Sequence, residues 1–267
     1  MAVLAILQPD ARTSARLGSA LGDGHSVVTR RSWEGVEHVL SERAVEGCLV
    51  DADHPRRAEA EERIRHLRSL YPALAIIAYV EAGRGGGYFD LGKLGVDALI
   101  TSETPGNEIR ASVDQAFART RATEVADMVA GRAPVLLAVA LSWAITHATS
   151  DTSVGRMAED LGETTRGLRR ALSATDLPSP SRILLWGRLL LAGARLERDG
   201  RSVEDVAFSL RYATSTSLAR AMKHHTGYTL RQVSEQGGML LVLEKLLLAR
   251  MEARPAPPAP IAIAWRT

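Results

Sequence analysis

Val154-Gly155-Arg156-Met157-Ala158-Glu159-Asp160-Leu161-Gly162 and Val203-Glu204-Asp205-Val206-Ala207-Phe208-Ser209-Leu210-Arg211-Tyr212 decide the fold of the second half of the chain. They lie about fifty residues apart. Each reads as a short scaffold helix whose Ala (Ala158 or Ala207) faces a partner helix closely. Each is followed by a short turn and a second helix rich in polar and basic residues, at 164–173 and 214–225. A scaffold helix, a tight turn and a polar second helix form the helix-turn-helix pattern, used here twice. Sequence-specific binding to double-stranded DNA is the leading expectation.

The bulk properties agree with it. A chain of 267 residues suits two domains, each with its own core. Residues 1–122 carry 15 Lys/Arg against 17 Asp/Glu, whereas 151–234 carry 13 against 9. The basic excess thus sits with the expected DNA reader, as phosphate contact requires. Cys48 is the single cysteine, so no intrachain disulfide and no cysteine zinc site can form; its apolar setting reads as core. The opening apolar run at 2–7 is too short for a signal peptide, and 239–248 is too short and too charged to span a bilayer. The expectation is a cytoplasmic protein that does not engage a membrane. No nucleophile–base pair or metal-ligand cluster stands out, so neither an enzyme nor a cofactor is expected. His224-His225 is too little for a metal site.

In the first 122 residues short apolar runs alternate with longer amphipathic stretches. Strands are expected at 3–7, 26–29, 47–50, 75–79 and 98–101, and helices at 13–21, 33–43, 57–70, 88–94 and 106–120. This alternation predicts a five-stranded parallel sheet covered on both faces, with ligands beyond the carboxyl ends of the strands. Gly83-Arg84-Gly85-Gly86-Gly87 lacks the Lys-Ser/Thr of a phosphate-binding loop and reads as a loop after the fourth strand.

Asp51-Ala52-Asp53-His54-Pro55 closes the third strand and resembles response-regulator receiver domains, in which an Asp followed four residues later by Pro accepts a phosphoryl group. The resemblance covers 1–122 and implies a flavodoxin-like fold, with Asp51 as the candidate phosphoacceptor. The accessory positions depart from the family. Gln8-Pro9, with only Asp10 after it, stands where an acidic pair holds Mg²⁺. Tyr79-Val80 occupies the Thr/Ser step, and Ser102 the place of the Lys. Nothing obvious would neutralise a phosphoaspartate, so a structural carboxylate in a degenerate receiver-like domain is expected.

Residues 123–132 can continue the preceding helix and, as far as 133, link the halves; Pro134 then suits the start of an apolar helix over 135–146. From 134 to 233 the chain resembles the AraC-type DNA-binding domain, two helix-turn-helix units joined by a long helix. The joining helix is expected over 181–198, with Leu184, Leu185, Leu189 and Leu191 on its buried side, and Arg188 and Ala192 match the family's Arg-x-x-x-Ala. Ser202-Val203-Glu204-Asp205-Val206-Ala207 is close to Ser-Ile-x-x-Ile-Ala, and Thr226-Gly227-Tyr228-Thr229-Leu230 to Thr-Gly-x-Thr-Pro. The resemblance implies DNA contacts from Thr164, Thr165, Arg166, Arg169 and Arg170 in the first unit. In the second it implies Thr214, Ser215, Thr216, Arg220 and Lys223. Arg166, Arg169 and Arg220 lead, since Arg can read guanine through two hydrogen bonds. Arg211 stands where the family has a turn Gly, Leu218 and Met222 replace aromatic residues, and Leu230 replaces Pro. The second unit is therefore expected to have the softer core.

Over 235–253, Met239, Leu240, Leu243, Leu246, Leu247 and Met251 fall at roughly helical spacing, to pack on their own domain or on a second copy. Residues 255–260 then read as an extended Pro-rich end. Together these readings predict a transcription regulator in which a receiver-like domain controls or dimerises a DNA reader. A homodimer and RNA polymerase are further candidate partners. Two alternatives stay open: a response regulator switched by phosphorylation of Asp51, and a protein-interaction adaptor with weak DNA binding.

Overall fold

The computed structural model describes residues 2–22, 24–83, 88–198 and 202–252. Residues 84–87 of the glycine-rich stretch and the Pro-rich end at 255–260 lie outside the described residues. The first half runs β1 (Ala2–Leu7), α1 (Ala11–Gly22), β2 (His25–Arg30), α2 (Trp33–Glu42), β3 (Gly47–Asp51), α3 (Arg57–Leu70), β4 (Ala75–Val80), α4 (Tyr88–Lys93), β5 (Ala98–Thr101) and α5 (Gly106–Val129). The strands form one sheet in the order β2-β1-β3-β4-β5, every pair parallel. That is the flavodoxin-like order, and the five expected strands are all present.

Period-two alternation sends each strand's side chains to opposite faces. Leu4, Ile6, Leu49, Ile77 and Tyr79 pack with Leu17 and Leu21 of α1 and Ile109 and Val113 of α5. Ala5, Leu7, Val50, Ile76 and Ala78 pack with Val36 of α2, Ile64 of α3 and Leu91 of α4. Cys48 belongs to this second core, and burial pushes its thiol pKa up to about 12. It is a small apolar side chain in practice.

The second half is helical: α6 (Val135–Thr146), α7 (Val154–Asp160), α8 (Thr165–Ala174), α9 (Pro180–Arg198), α10 (Val203–Ser209), α11 (Ser215–Thr226), α12 (Leu230–Gln236) and α13 (Gly238–Glu252). The helix α9 is the hub, packing against α6, α12 and α13 and touching both α7–α8 and α10. Its buried side includes Ile183, Trp186, Leu189, Leu190, Leu191 and Ala192. Leu184 and Leu185, expected there, are only half-buried and pack against the edge of the core. A Cβ on Gly187 would lie 2.6 Å from the Ala144 carbonyl carbon, so only glycine permits that approach.

The expected continuation of the helix past 122 is present, and the boundary of the tail changes. The stretch after 122 is helix as far as Val129, with Val125 and Val129 buried in the core of the helical half. The helix α5 therefore belongs to both halves: at 24 residues it is about 36 Å long, its first half on the sheet and its second in the bundle. The tail stripe does not begin at 235. Glu235 and Gln236 end α12, Gly237 at φ 121° breaks the chain, and α13 starts at Gly238. Met239, Val242, Leu243 and Leu246 are buried in the bundle core, so this helix packs on its own chain.

Candidate nucleic-acid interface

Short helices with few backbone bonds depend on their caps, and each helix of both units has one. Ser153 and Ser202 accept backbone N–H bonds from Arg156 and Asp205 at the starts of α7 and α10. Thr164 and Thr214 do the same for Gly167 and Ser217 at the starts of α8 and α11, at 3.0 and 3.1 Å. Both Thr residues are expected at DNA, and their Oγ atoms act here as helix caps, worth about 1 kcal/mol each.

The scaffold helices and the first part of the turns correspond residue for residue in burial and backbone bonding. Met157 and Ala158 are buried on α7 as Val206 and Ala207 are on α10. The N–H of Glu163 donates to the Ala158 carbonyl at 2.8 Å, and that of Tyr212 to the Ala207 carbonyl at 2.9 Å. This makes Gly162, at φ 73°, the counterpart of Arg211, at φ 64°. The second turn then takes one more residue before its cap, Thr214 against Thr164. From there Leu168 matches Leu218 and Leu172 matches Met222, all buried. Arg170 consequently matches Arg220, Arg166 matches Thr216, and Arg169 matches Ala219.

Burial of Leu168, Leu172, Leu218 and Met222 turns the other faces of α8 and α11 outward. Arg166, Arg169, Arg170, Thr216, Arg220 and Lys223 are exposed, and Thr165 and Ser215 half-buried. None of the four arginines has an ion-pair or hydrogen-bond partner among the described residues. The Nζ of Lys223 donates to the Gly227 carbonyl at 2.7 Å, closing the end of α11. Free guanidiniums beside helix N-termini, where backbone N–H groups point outward, offer what phosphates and guanine edges accept.

The units are also tied together. The Nε1 of Trp143 donates to Asp160 at 3.0 Å, fixing α7 to α6. On α9, Arg188 donates to the Thr152 hydroxyl at 3.3 Å, ahead of the first unit. The same guanidinium lowers the Tyr212 pKa in the second unit, although burial, the larger effect, raises it overall. Arg211 extends its Nε to the Thr149 carbonyl at 3.1 Å. The roles of Arg188 and Arg211 span 36 and 62 residues and leave no local signal in the sequence.

At the carboxyl ends of the strands the residues singled out by the receiver resemblance make local hydrogen bonds. The Asp10 carboxylate accepts the N–H of Thr13 at 2.7 Å and caps α1. Gln8 is buried, and its Oε1 accepts the N–H of Asp10 at 3.0 Å. The Asp51 Oδ1 accepts the N–H of Asp53 at 3.0 Å. Burial raises the Asp51 pKa, outweighing the bonds from Asp53 and Gln8 that lower it. Asp53 is paired with Arg57 at 2.9 Å. Tyr79 is buried, and the Ser102 Oγ accepts the N–H of Ala82 at 2.9 Å. Sequence reasoning missed Arg16 on α1, whose guanidinium donates to the carbonyls of Ser102, Thr104 and Thr101 at 2.9, 3.2 and 3.3 Å. A cation therefore stands at the end of β5, but its donors are spent on backbone.

A family profile described as a helix-turn-helix domain matches residues 157–236. The chain carries a helix-turn-helix domain. The matched span begins in α7 and ends with α12, so this helix-turn-helix domain takes in both units and the joining helix. No curated protein matches the chain. Among solved structures, the receiver domain of the TMAO respiratory system response regulator TorR is 20% identical, covering 45% of this chain and 99% of that one at a TM-score of 0.41. A response regulator receiver domain protein from Clostridium thermocellum is 16% identical, covering 45% and 98% at 0.41. RcsB from Salmonella enterica serovar Typhimurium, bound to promoter rprA, is 11% identical, covering 68% and 97% at 0.38. The first half is a five-stranded parallel sheet covered by helices on both faces. A helix-turn-helix domain is what a DNA-binding regulator is built around. Among the described residues no helix is long and apolar enough to cross a membrane.

Proposed function

We propose that the protein is a sequence-specific transcription regulator of the AraC type, working in the cytoplasm, with residues 134–234 as its reader. The observation that carries this is the pair of second helices, each with a buried seam and an outward polar face, bearing unpaired Arg166, Arg169 and Arg170 on α8 and unpaired Arg220 on α11. Held by α9, α8 and α11 can enter successive major grooves on one face of the duplex. Arg166, Arg169, Arg170 and Arg220 read bases. Thr165, Ser215, Thr216 and Lys223 position the phosphates, helped by the capping Thr164 and Thr214. Selection of bound sequences from a random DNA pool, with the full-length protein at physiological salt, tests this. The expected result is a site of two elements about one helical turn apart. Weak, salt-sensitive binding with no enriched site would defeat it in favour of the adaptor.

The receiver-like domain, in this proposal, regulates or dimerises the reader without phosphoryl transfer to Asp51. Gln8, Tyr79 and the committed Arg16 supply neither the metal ligands nor the free cation that a phosphoaspartate needs. Acetyl phosphate with Mg²⁺ should leave the intact mass unchanged; stoichiometric addition of a phosphoryl group would restore the phosphorylation-switched reading. A contact with RNA polymerase would use apolar surface such as Phe208, which α10 leaves 64% exposed. Phe208→Ser should then lower transcription in a purified system with DNA affinity unchanged; equal transcription would remove that contact.

A further inference from the structure

Between the two halves lies an open cleft of about 630 Å³, within the size range of small-molecule sites. Its walls come from the edge of the sheet domain opposite the Asp51 end, from the second half of α5, and from α9 and α13. The apolar part is built by Met128 of α5 with Met239 and Leu240 of α13. Leu240 is 56% exposed, a large apolar side chain left uncovered at the start of an otherwise buried helix stripe.

Among the described residues two cations line the cleft, and both are committed. Arg68 pairs with Asp97 at 2.6 Å and donates to the carbonyls of Leu74 and Gly95. Arg121 pairs with Glu124 at 2.7 Å and Glu46 at 3.2 Å. Burial disfavours the Arg121 charge, but those two carboxylates more than offset it and raise its pKa. Two carboxylates on the same walls are left over: Asp127 on α5 and Glu197 on α9 have no ion-pair partner among the described residues. The cleft thus combines a floor of adaptable thioether and leucine side chains with an uncompensated negative rim.

We propose that this cleft binds a lipophilic organic cation, its apolar body on Met128, Met239 and Leu240 and its positive centre between Asp127 and Glu197. An anion would meet the two free carboxylates, and a small hydrated ion would leave the apolar surface wet. Because Asp127 stands on the helix that both halves share and Glu197 on the joining helix, the occupant ties α5 to the reader.

The test is calorimetric titration of the full-length protein with tetraphenylphosphonium, beside tetraphenylborate, which has nearly the same shape and the opposite charge. Saturable one-to-one binding of the phosphonium and none of the borate is expected. The double variant Asp127→Asn/Glu197→Gln should weaken binding about ten-fold or more, that is about 1.4 kcal/mol. Leu240→Lys places an ammonium at an exposed position and should abolish binding with the circular dichroism spectrum unchanged. No saturable phosphonium binding, equal binding of the borate, or full affinity in the double variant would overturn the proposal. No DNA enters the measurement, so its failure is separate from failure of the DNA-reading proposal.

Discussion

The first helix-turn-helix unit turns at Gly162 and leaves its second helix through Asp176; the second turns at Arg211 and leaves through Gly227. All four residues have φ between 53° and 78°. Both units need the same two left-handed positions, and each has glycine at only one of them. A side chain there costs about 1–2 kcal/mol. Asp is among the residues that tolerate the conformation. Arg is not, and its bond to the Thr149 carbonyl offsets part of the cost while tying the two units. The charge differs in the same direction. The helix α8 presents three unpaired arginines, and α11 presents Arg220 and a Lys223 already closing its own helix end. The first unit thus presents more free positive charge, while the second commits Arg211 and Lys223 to bonds within the chain.

The largest test is of packing. Leu168 and Leu218 occupy equivalent positions, 1% and 0% exposed, so Leu→Ala at either should cost about 2–5 kcal/mol in urea denaturation. Equal losses would show both cores packed alike; a clearly smaller loss at Leu218 would mark the second unit as the softer one.

Next comes DNA. Arg170→Ala and Arg220→Ala should each cost about 1–3 kcal/mol if both arginines read bases. Binding of the selected site and of point variants of it checks this. The comparison sharpens if the first variant relaxes preference at particular base pairs while the second weakens all sequences alike. It breaks if the pattern is reversed.

A smaller effect should follow at the turns. Gly162→Ala introduces a Cβ at φ 73° and should destabilise by about 1 kcal/mol in thermal melts. Arg211→Gly relieves the same strain but loses the Thr149 bond and adds freedom to the unfolded chain, so it should change stability by less than about 1 kcal/mol.

The smallest effect is expected outside both units. The Asp51 pKa is raised in the folded protein, so its charge opposes folding above that pKa, and the proton that removes the penalty binds only below it. Asp51→Asn can still accept the Asp53 N–H. It should melt slightly higher than the parent at pH 7, with the difference fading toward pH 4, near the ordinary carboxylate range of about 4. DNA affinity should not change; a change would mean that Asp51 couples to the reader.

The sequence by itself determined the elements and their partners of the first order. Alternating strands and amphipathic helices fix the parallel sheet, because burial on both faces demands continuous apolar runs in β3 and β4. The 3.6-residue spacing of Leu168 with Leu172, and of Leu218 with Met222, fixes which faces of α8 and α11 look outward. These signals are local, carried by residues two to four apart. Only the tertiary structure decided the rest. Arg16 finds carbonyls 85 to 88 residues away. The extra turn residue matches Arg220 with Arg170 and leaves Arg169 opposite Ala219. The helix α5 passes from one core into the other and so creates the cleft of Asp127 and Glu197. Each depends on groups brought together by closing long loops, and no short-range pattern records which distant partner a side chain will meet.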